Sequence, residues 1–149
     1  MQDEHVLNTI PVGPLGLIPI DGCQELGRKV DAYLAAWRCE RQHEHKGSVL
    51  FSEYEKESFI IESHVPRFGT GEAKGVIDKS VRGDDLFLMV DVCNYSLTYT
   101  VSGHLNHMSP DDHFQNLKRI IAAVGGKARR ITVIMPFLYE SRQHKRSGR

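Results

Sequence analysis

The chain has 149 residues, 40% of them hydrophobic and 26% charged, and its 19 Lys and Arg side chains balance its 19 Asp and Glu side chains. This length and composition are typical of one globular domain and exclude a fibrous or largely disordered protein. No apolar stretch approaches the roughly 18 residues of a membrane span, and the acidic, polar residues 1–5 are unlike a signal peptide. We therefore expect a cytoplasmic protein with no membrane contact.

The first predicted elements are a strand, a turn and a helix. Residues 15–20 are a short apolar run that predicts a strand, and Asp21 after it is a good helix N-cap. The predicted helix then has apolar residues at helical spacing, which are Leu26, Val30, Tyr33, Leu34 and Trp37. Residues 38–47 are polar and contain histidine, which indicates a surface loop.

Residues 58–78 predict a β-hairpin. Residues 58–65 are a strand candidate, and residues 72–78 are a candidate for the return strand. The Gly-Thr-Gly sequence at 69–71 favours a turn between them. We therefore expect a hairpin around Phe68.

The next predicted strand, residues 85–92, is apolar without alternation, which is typical of a strand covered by helices on both faces. We expect it to lie deep in the sheet. Residues 94–108 follow it and exceed an ordinary connection by roughly a dozen residues. Leu97, Tyr99 and Val101 alternate with polar residues there, which is compatible with a small hairpin, but the sequence indicates no role for it.

The best-defined element is a helix after Ser109. Ser109 is its N-cap, Pro110 takes its first position, and two aspartates complement the positive end of the helix dipole. A single apolar stripe follows, made of Phe114, Leu117, Ile120, Ile121 and Val124. Two glycines end the helix, and residues 131–135 predict another buried strand. Strands and helices in this order point to a doubly wound α/β sheet.

The end of the chain is basic. Residues 127–149 hold seven Lys or Arg against a single Glu, a net charge of +6, whereas residues 1–126 carry −6. This basic loop follows the last predicted strand, and α/β enzymes place phosphate chemistry at the carboxyl ends of parallel strands. An ordinary solvated chain end is the alternative. A nucleic-acid site would need interleaved aromatic side chains and a larger basic face, so we expect no nucleic-acid partner.

Four segments carry a family resemblance, and they occur in the family's order. They are RFGTGE at 67–72, SVRGDDLF at 80–87, ARRITVIMP at 128–136 and YESRQ at 139–143. The chain resembles, loosely over residues 15–146, the amino-terminal half of ribose-phosphate diphosphokinases, which are also called phosphoribosyl pyrophosphate (PRPP) synthetases.

The resemblance implies both a fold and an activity. The fold would be type I phosphoribosyltransferase-like, with a doubly wound, mostly parallel sheet, flanking helices and the hairpin at 58–78. The activity would be transfer of the β,γ-diphosphate of ATP to the 1-hydroxyl of ribose 5-phosphate, with magnesium, in nucleotide biosynthesis. Residues 1–149 would be the ATP-side domain of an enzyme whose carboxyl-terminal phosphoribosyl-binding domain is absent from this chain. We expect little or no activity from the chain alone.

The resemblance also implies site residues. The family's adenine site would use Phe68 and Glu72 from the hairpin with Arg142 and Gln143 after the last strand. An aromatic face and a guanidinium plane can sandwich a purine, and a carboxylate can accept from its exocyclic amine. The catalytic cations near the ATP phosphates would be Lys145 and Arg146, with Arg149 as a further candidate.

The resemblance extends to assembly. In the family, the hairpin reaches into the nucleotide site of a neighbouring subunit. We therefore expect a homo-oligomer, a dimer or a hexamer.

Three positions depart from the family pattern. Gly69 replaces the family's serine in the hairpin, Thr70 replaces its acidic residue, and His144 replaces the acid that follows Arg-Gln. The motif that binds the phosphoribosyl group, an acidic pair leading into a Thr/Gly-rich loop, does not occur in the sequence. Thr70 and His144 favour an alternative, a non-catalytic nucleotide-binding or regulatory module that associates with an active synthetase, but the retained Phe68, Glu72, Arg142 and Gln143 favour the enzyme more.

No metal site is predicted from the side chains of this chain. His43 and His45, like His104 and His107, have spacings that a metal could use, but no third ligand accompanies either pair. Solvated loop histidines are therefore favoured. The three cysteines lack CxxC spacing, which indicates reduced thiols.

Overall fold

A computed structural model describes residues 11–43, 56–143 and 145 of the chain. Its elements are β1 (Leu15–Pro19), α1 (Gln24–His43), β2 (Ser63–His64), β3 (Val76–Ile77), β4 (Asp85–Met89), β5 (Thr98–Val101), β6 (His104–His107), α2 (Pro110–Val124) and β7 (Arg130–Ile134). Within these described ranges, no helix is long and apolar enough to cross a membrane.

The centre of the fold is a parallel sheet in the order β1-β4-β7. Asp85, the first residue of β4, lies between Leu15 of β1 and Arg130 of β7. The backbone at Leu17 extends the sheet beyond β1, because its N–H donates to Phe59 and its carbonyl accepts from Ile61, each at 2.8 Å. The predicted α/β class with a parallel sheet is confirmed.

The two helices cover opposite faces of this sheet. On one face, Val30 and Leu34 of α1 pack against Leu17, Phe59 and Met89. On the other face, α2 packs its apolar stripe against the strands, with Leu117, Ile120 and Val124 joining Ile18, Leu86 and Leu88. β4 is therefore buried on both faces, as its continuous apolar sequence predicted.

Helix α1 departs from the prediction in three ways. It begins at Gln24 rather than directly after Asp21, whose carboxylate accepts instead from the Gln24 side chain at 3.1 Å. It also continues to His43, through most of the predicted 38–47 loop, whose residues 44–47 lie outside the described part of the chain. Tyr33 and Trp37 are 65% and 59% exposed, because only one stripe of α1 meets the sheet.

A charged residue faces the sheet from α1. The carboxylate of Asp31 is buried and accepts from the Phe59 backbone N–H at 2.6 Å and from the Ser58 hydroxyl at 2.8 Å. Because a buried N–H without a partner is costly, Asp31 helps to hold the segment that precedes β2 beside β1. Apolar periodicity alone did not indicate this role.

The hairpin at 58–78 is confirmed as strands β2 and β3. Ser63 pairs with Ile77 and His64 with Val76, and the same register continues to a bridge between Arg67 and Ala73. The turn closes on Phe68, whose N–H donates to the Glu72 carbonyl at 2.7 Å. Residues 94–108 also form a hairpin, β5–β6, in which Thr98 to Val101 pair with His107 to His104.

The predicted caps of α2 are present. The Ser109 side chain accepts from the Asp112 N–H while the Asp112 carboxylate accepts from the Ser109 N–H, which is a capping box. Gly125 ends the helix in the left-handed region with φ 59°. The strand that follows, β7, was predicted to be buried. It is only half-buried, since it is the edge of the described sheet and Val133 and Ile134 are exposed.

The pair Asp84-Asp85 has a structural explanation. Asp85 is buried and receives two hydrogen bonds from the Arg130 guanidinium, one from Nε at 2.7 Å and one from a terminal nitrogen at 2.5 Å. The Asp84 carbonyl accepts from the Arg129 N–H at 2.8 Å. This acidic pair therefore joins β4 to β7 at the amino-terminal edge of the sheet, away from the carboxyl ends of the strands.

Candidate functional site

A cleft of about 450 Å³ opens beyond the carboxyl ends of β4 and β7. Its walls are the segment after β4, the first turn of α2 and the turn after β7. The described residues that line it are Val92, Cys93, Pro110, Asp111, Phe137, Tyr139, Glu140, Ser141, Arg142 and Gln143. Open α/β sheets bind ligands at this edge, and the volume lies within the range of small-molecule sites, about 300–1,000 Å³.

The turn after β7 is tied to α2 through Tyr139. Its ring stacks on Phe114 with 4.2 Å between centroids, and its hydroxyl donates to the Asp111 carboxylate at 2.5 Å. That hydrogen bond is the largest cause that raises the pKa of Tyr139, to about 12. Tyr139 therefore stays protonated and keeps its hydrogen bond across the physiological pH range.

The backbone of the same turn is compact. The Ser141 N–H donates to the Leu138 carbonyl at 3.2 Å, and the Gln143 N–H donates to the Glu140 carbonyl at 2.9 Å. Glu140 takes the left-handed region with φ 56°, a conformation that costs energy for a residue with a Cβ. These contacts place Arg142 and Gln143 on the cleft wall.

The β2–β3 hairpin is anchored near the same end of α2. The Arg67 guanidinium donates to the Asp112 carboxylate at 3.2 Å and to the Gly71 carbonyl at 3.0 Å. Arg67 also lies over the ring of Tyr99, with 3.8 Å from its central carbon to the ring centroid. The anchor thus joins the hairpin, the β5–β6 hairpin and the first turn of α2.

The structure describes five of the six predicted site residues and places them in two separate groups. Arg142 and Gln143 lie together on the cleft wall, and Lys145, which is exposed, lies two residues further along the chain. Phe68, 52% exposed, and Glu72 lie at the hairpin tip, and neither is among the described residues that line the cleft. Arg146 lies outside the described residues, as do His144 and Arg149.

Thr70 has a defined position at the hairpin tip. Its hydroxyl donates to the Glu72 carboxylate at 3.1 Å. An ionised carboxylate has about four lone-pair sites, so Glu72 retains acceptor capacity for a second donor. Thr70, which replaces an acidic residue of the family pattern, therefore orients the Glu72 carboxylate and leaves some of its acceptor sites available.

Three residues around the site have roles that the sequence did not indicate. Asp111 was assigned only to the helix dipole, and Arg67 and Tyr139 were assigned only to family motifs. Asp111 and Tyr139 are 28 residues apart in sequence, and Arg67 is 45 residues from Asp112. The one signal in the sequence was the unusual length of residues 94–108, the segment that contains Tyr99.

A resident metal site is not evident. Across residues 11–43, 56–143 and 145, no group of three or more His, Cys, Asp or Glu side chains could hold a metal ion. His104 and His107 are both on β6, and the His107 ring donates through Nδ1 to the Tyr95 carbonyl at 2.9 Å. The absence of a metal site in this chain stays a prediction.

The lowered pKa of Asp112 predicts how the free energy of unfolding changes with pH. Partial burial, the largest influence, raises its pKa, but hydrogen bonds from Ser109 and the nearby Arg67 outweigh burial, so that the pKa lies below its ordinary value. A carboxylate with a lowered folded pKa stabilises fully above its unfolded pKa of about 4, and this stabilisation disappears as the pH falls through the folded value. We therefore expect Asp112→Asn to lower the free energy of unfolding at pH 7 by about 1 kcal/mol.

The measurement is urea unfolding followed by circular dichroism between pH 2 and 7. Asp112→Asn should show a smaller loss of stability below about pH 4 than the unsubstituted chain. The matched control is Glu57→Gln, which removes the charge of an exposed carboxylate. An acid dependence identical to that of the control would contradict the assignment.

Comparison with known proteins places these features in a family. Residues 15–149 match the family described as the N-terminal domain of ribose phosphate pyrophosphokinase. The ribose-phosphate pyrophosphokinase of Maricaulis maris (strain MCS10) is 34% identical over 89 residues, which are 60% of this chain and 24% of that relative. The match therefore covers about a quarter of the relative's length.

Proposed function

Because the chain belongs to the family of N-terminal domains of ribose phosphate pyrophosphokinase, we propose that residues 1–149 are the ATP-side domain of a ribose-phosphate diphosphokinase. In the reaction, the 1-hydroxyl of ribose 5-phosphate attacks the β-phosphorus of ATP, the bond to the α-phosphate breaks, and AMP leaves. The hydroxyl proton is released and PRPP is formed for nucleotide biosynthesis. We propose a cytoplasmic location for this enzyme, and little or no activity for the chain alone.

The observation that carries the proposal is the cleft at the carboxyl ends of β4 and β7. Arg142 and Gln143 converge there with the amino terminus of α2. A guanidinium plane stacks on a purine, and an amide group can donate to and accept from its ring edge. The cleft is large enough for an adenine nucleotide, and Lys145 and Arg146, which follow Gln143 closely in sequence, would supply the cations for its phosphates.

A second copy of the chain completes the proposed site. Phe68 and Glu72 project from the hairpin and are absent from the described lining of their own cleft. The resemblance implies that such a hairpin enters the nucleotide site of a neighbouring subunit, and the exposure of Phe68 supports this. Phe68 would then stack on the adenine held by Arg142 of the other copy, in a dimer or a hexamer.

Magnesium would arrive with its nucleotide. Mg²⁺ is usually held by substrate phosphates, waters and one or two carboxylates rather than by a cage of protein ligands. The described residues fit this mode, because they contain no cluster of three metal ligands while Asp111 and Glu140 line the cleft. The chain's own part is to orient adenine and to place cations near the phosphates, since phosphoryl transfer depends on positioning and charge stabilisation.

The alternative function is a non-catalytic nucleotide-binding or regulatory module. Thr70 and His144 favour it, because each replaces an acidic residue of the family pattern, whereas the retained residues Phe68, Glu72, Arg142 and Gln143 favour the enzyme more. The two functions differ in their products. AMP formation from ATP and ribose 5-phosphate by the full-length protein would support the enzyme, and nucleotide binding without AMP formation would support the module.

The test of the proposed function is calorimetric titration with α,β-methylene-ATP and Mg²⁺, in which the scissile bridge is replaced. We expect saturable binding that is lost in Arg142→Ala. The matched control is Arg82→Ala, which removes the same charge from an exposed position outside the cleft. Equal binding by Arg142→Ala and Arg82→Ala would remove the cleft as the nucleotide site, and no binding by the unsubstituted chain would contradict a surviving site in this domain.

A further inference from the structure

Residues 94–108 contact the hairpin that carries Phe68 and Glu72. The Tyr99 ring, on β5, lies 3.8 Å from the central carbon of the Arg67 guanidinium, a distance at which a cation and an aromatic face attract. Arg67 in turn donates to the Gly71 carbonyl at 3.0 Å, inside the hairpin turn. Since the Arg67 side chain is only 12% exposed, both contacts are shielded from water.

A second contact joins the two hairpins beside the first. A methyl carbon of Val101, at the end of β5, lies 3.3 Å from the position that a Cβ on Gly71 would take. Gly71 has φ 90°, a conformation that favours glycine. Because glycine has no side chain, Val101 can pack closely against it. The Gly71 N–H donates to the Phe68 carbonyl at 2.9 Å, which connects this contact to the tip.

The β5–β6 hairpin is itself held firmly at its base. The Met108 N–H donates to the Leu97 carbonyl at 2.8 Å, and the Tyr95 and His107 rings stack with 4.7 Å between centroids. Ser109, the N-cap of α2, follows directly. On the other side of the base, the buried His113 ring donates through Nε2 to the Asn94 carbonyl at 2.7 Å.

We propose that the β5–β6 hairpin positions the tip of the β2–β3 hairpin for nucleotide contact, and that Tyr99 is the positioning residue, acting through Arg67. The claim that the tip contacts a nucleotide rests on the proposed function, whereas the claim that β5–β6 positions the tip does not. A hairpin tip that contacts a ligand bound to another copy must be rigid before that copy arrives, because ordering it on binding would weaken affinity. Residues 94–108, which exceed an ordinary connection, supply this rigidity.

The test compares Tyr99→Leu with Tyr99→Phe. Leucine removes the aromatic face and keeps an apolar side chain, whereas phenylalanine keeps the face. Phenylalanine loses only the hydroxyl, which lies 3.5 Å from the Asp112 carboxylate, at the outer limit of a hydrogen bond. The first readout is hydrogen exchange of the Phe68 and Gly71 amides, both of which close the turn.

We expect the exchange of these two amides to be about threefold to tenfold faster in Tyr99→Leu and unchanged in Tyr99→Phe. Exchange of the Leu86 and Leu88 amides, in the core strand β4, should not change in either variant. Unchanged exchange at the tip would overturn the proposal whether or not nucleotide binds. A general increase that includes Leu86 and Leu88 would show a role in core stability instead, and would also overturn it.

The second readout is affinity for α,β-methylene-ATP with Mg²⁺. Tyr99→Leu should bind about threefold to tenfold more weakly than Tyr99→Phe, by the same loss of order at the tip. Faster exchange at the tip with unchanged affinity would overturn the link to nucleotide. If the unsubstituted chain binds no analogue, the proposed function fails, and the exchange comparison alone decides whether β5–β6 braces the tip.

Discussion

An equimolar mixture of Phe68→Ala and Arg142→Ala chains should regain nucleotide binding that each variant lacks alone. The reason is the separation of the predicted site residues, with Phe68 at an exposed hairpin tip and Arg142 on the cleft wall. If each site combines the tip of one copy with the cleft of another, the mixed dimer has one site with both side chains intact. Random pairing would restore about a quarter of the sites of the unsubstituted protein.

The matched control is a mixture of two variants that are both substituted in the cleft. Chains with Arg142→Ala and Gln143→Ala both carry a damaged cleft, so no combination of copies restores an intact site. The measurement is the number of sites by calorimetry with α,β-methylene-ATP, after the chains have been exchanged. Failure of both mixtures would indicate that tip and cleft act within one chain, or that the tip takes no part in binding.

Local patterns were sufficient to predict most of the fold. The capping box at Ser109, the helix end at Gly125 and the hairpin turn at 69–71 all depend on residues within a few positions of one another. The continuous apolar run of β4 predicted its central place, because only a strand with helices on both faces can bury every side chain.

The limits of prediction lie where contacts are distant in sequence. The apolar residues of α1 gave a correct helix, but their spacing could not show that Tyr33 and Trp37 turn away from the sheet. The burial of β7 also depends on its position in the sheet. Its sequence is apolar like that of β4, but β7 lies at the edge of the described strands and is therefore only half-buried. The exposure of Tyr33, Trp37 and β7 depends on which elements pack beside one another. The periodicity of apolar residues does not specify those neighbours.

The family resemblance predicted Arg142 and Gln143 as site residues, and both line the cleft. That they bind nucleotide stays a prediction. The resemblance did not indicate how Arg67, Tyr99 and Asp112 hold the hairpin, since Tyr99 belongs to the segment that departs from a usual connection. The hairpin therefore depends on residues outside the family motifs.

Gly75→Ala should destabilise the chain and displace the hairpin. A Cβ at Gly75 would lie 2.5 Å from the Arg119 carbonyl oxygen and 3.0 Å from the Ile120 nitrogen, both in the backbone of α2. Backbone atoms of a helix cannot move aside as the end of a flexible side chain can. We expect the free energy of unfolding to fall by about 1–3 kcal/mol, the usual cost of overpacking.

The matched control is Gly69→Ala, in the same hairpin. A Cβ at Gly69 would have no heavy atom of the described residues within 4 Å, so its effect on stability should stay within about 0.5 kcal/mol. Urea unfolding measures both. Because Gly75 directly precedes β3, a return strand lifted from α2 would also carry the Phe68 tip away from its place, and binding of α,β-methylene-ATP should weaken in Gly75→Ala. If Gly75→Ala proved as stable as Gly69→Ala, the close approach of the hairpin to α2 would not contribute to the stability of this fold.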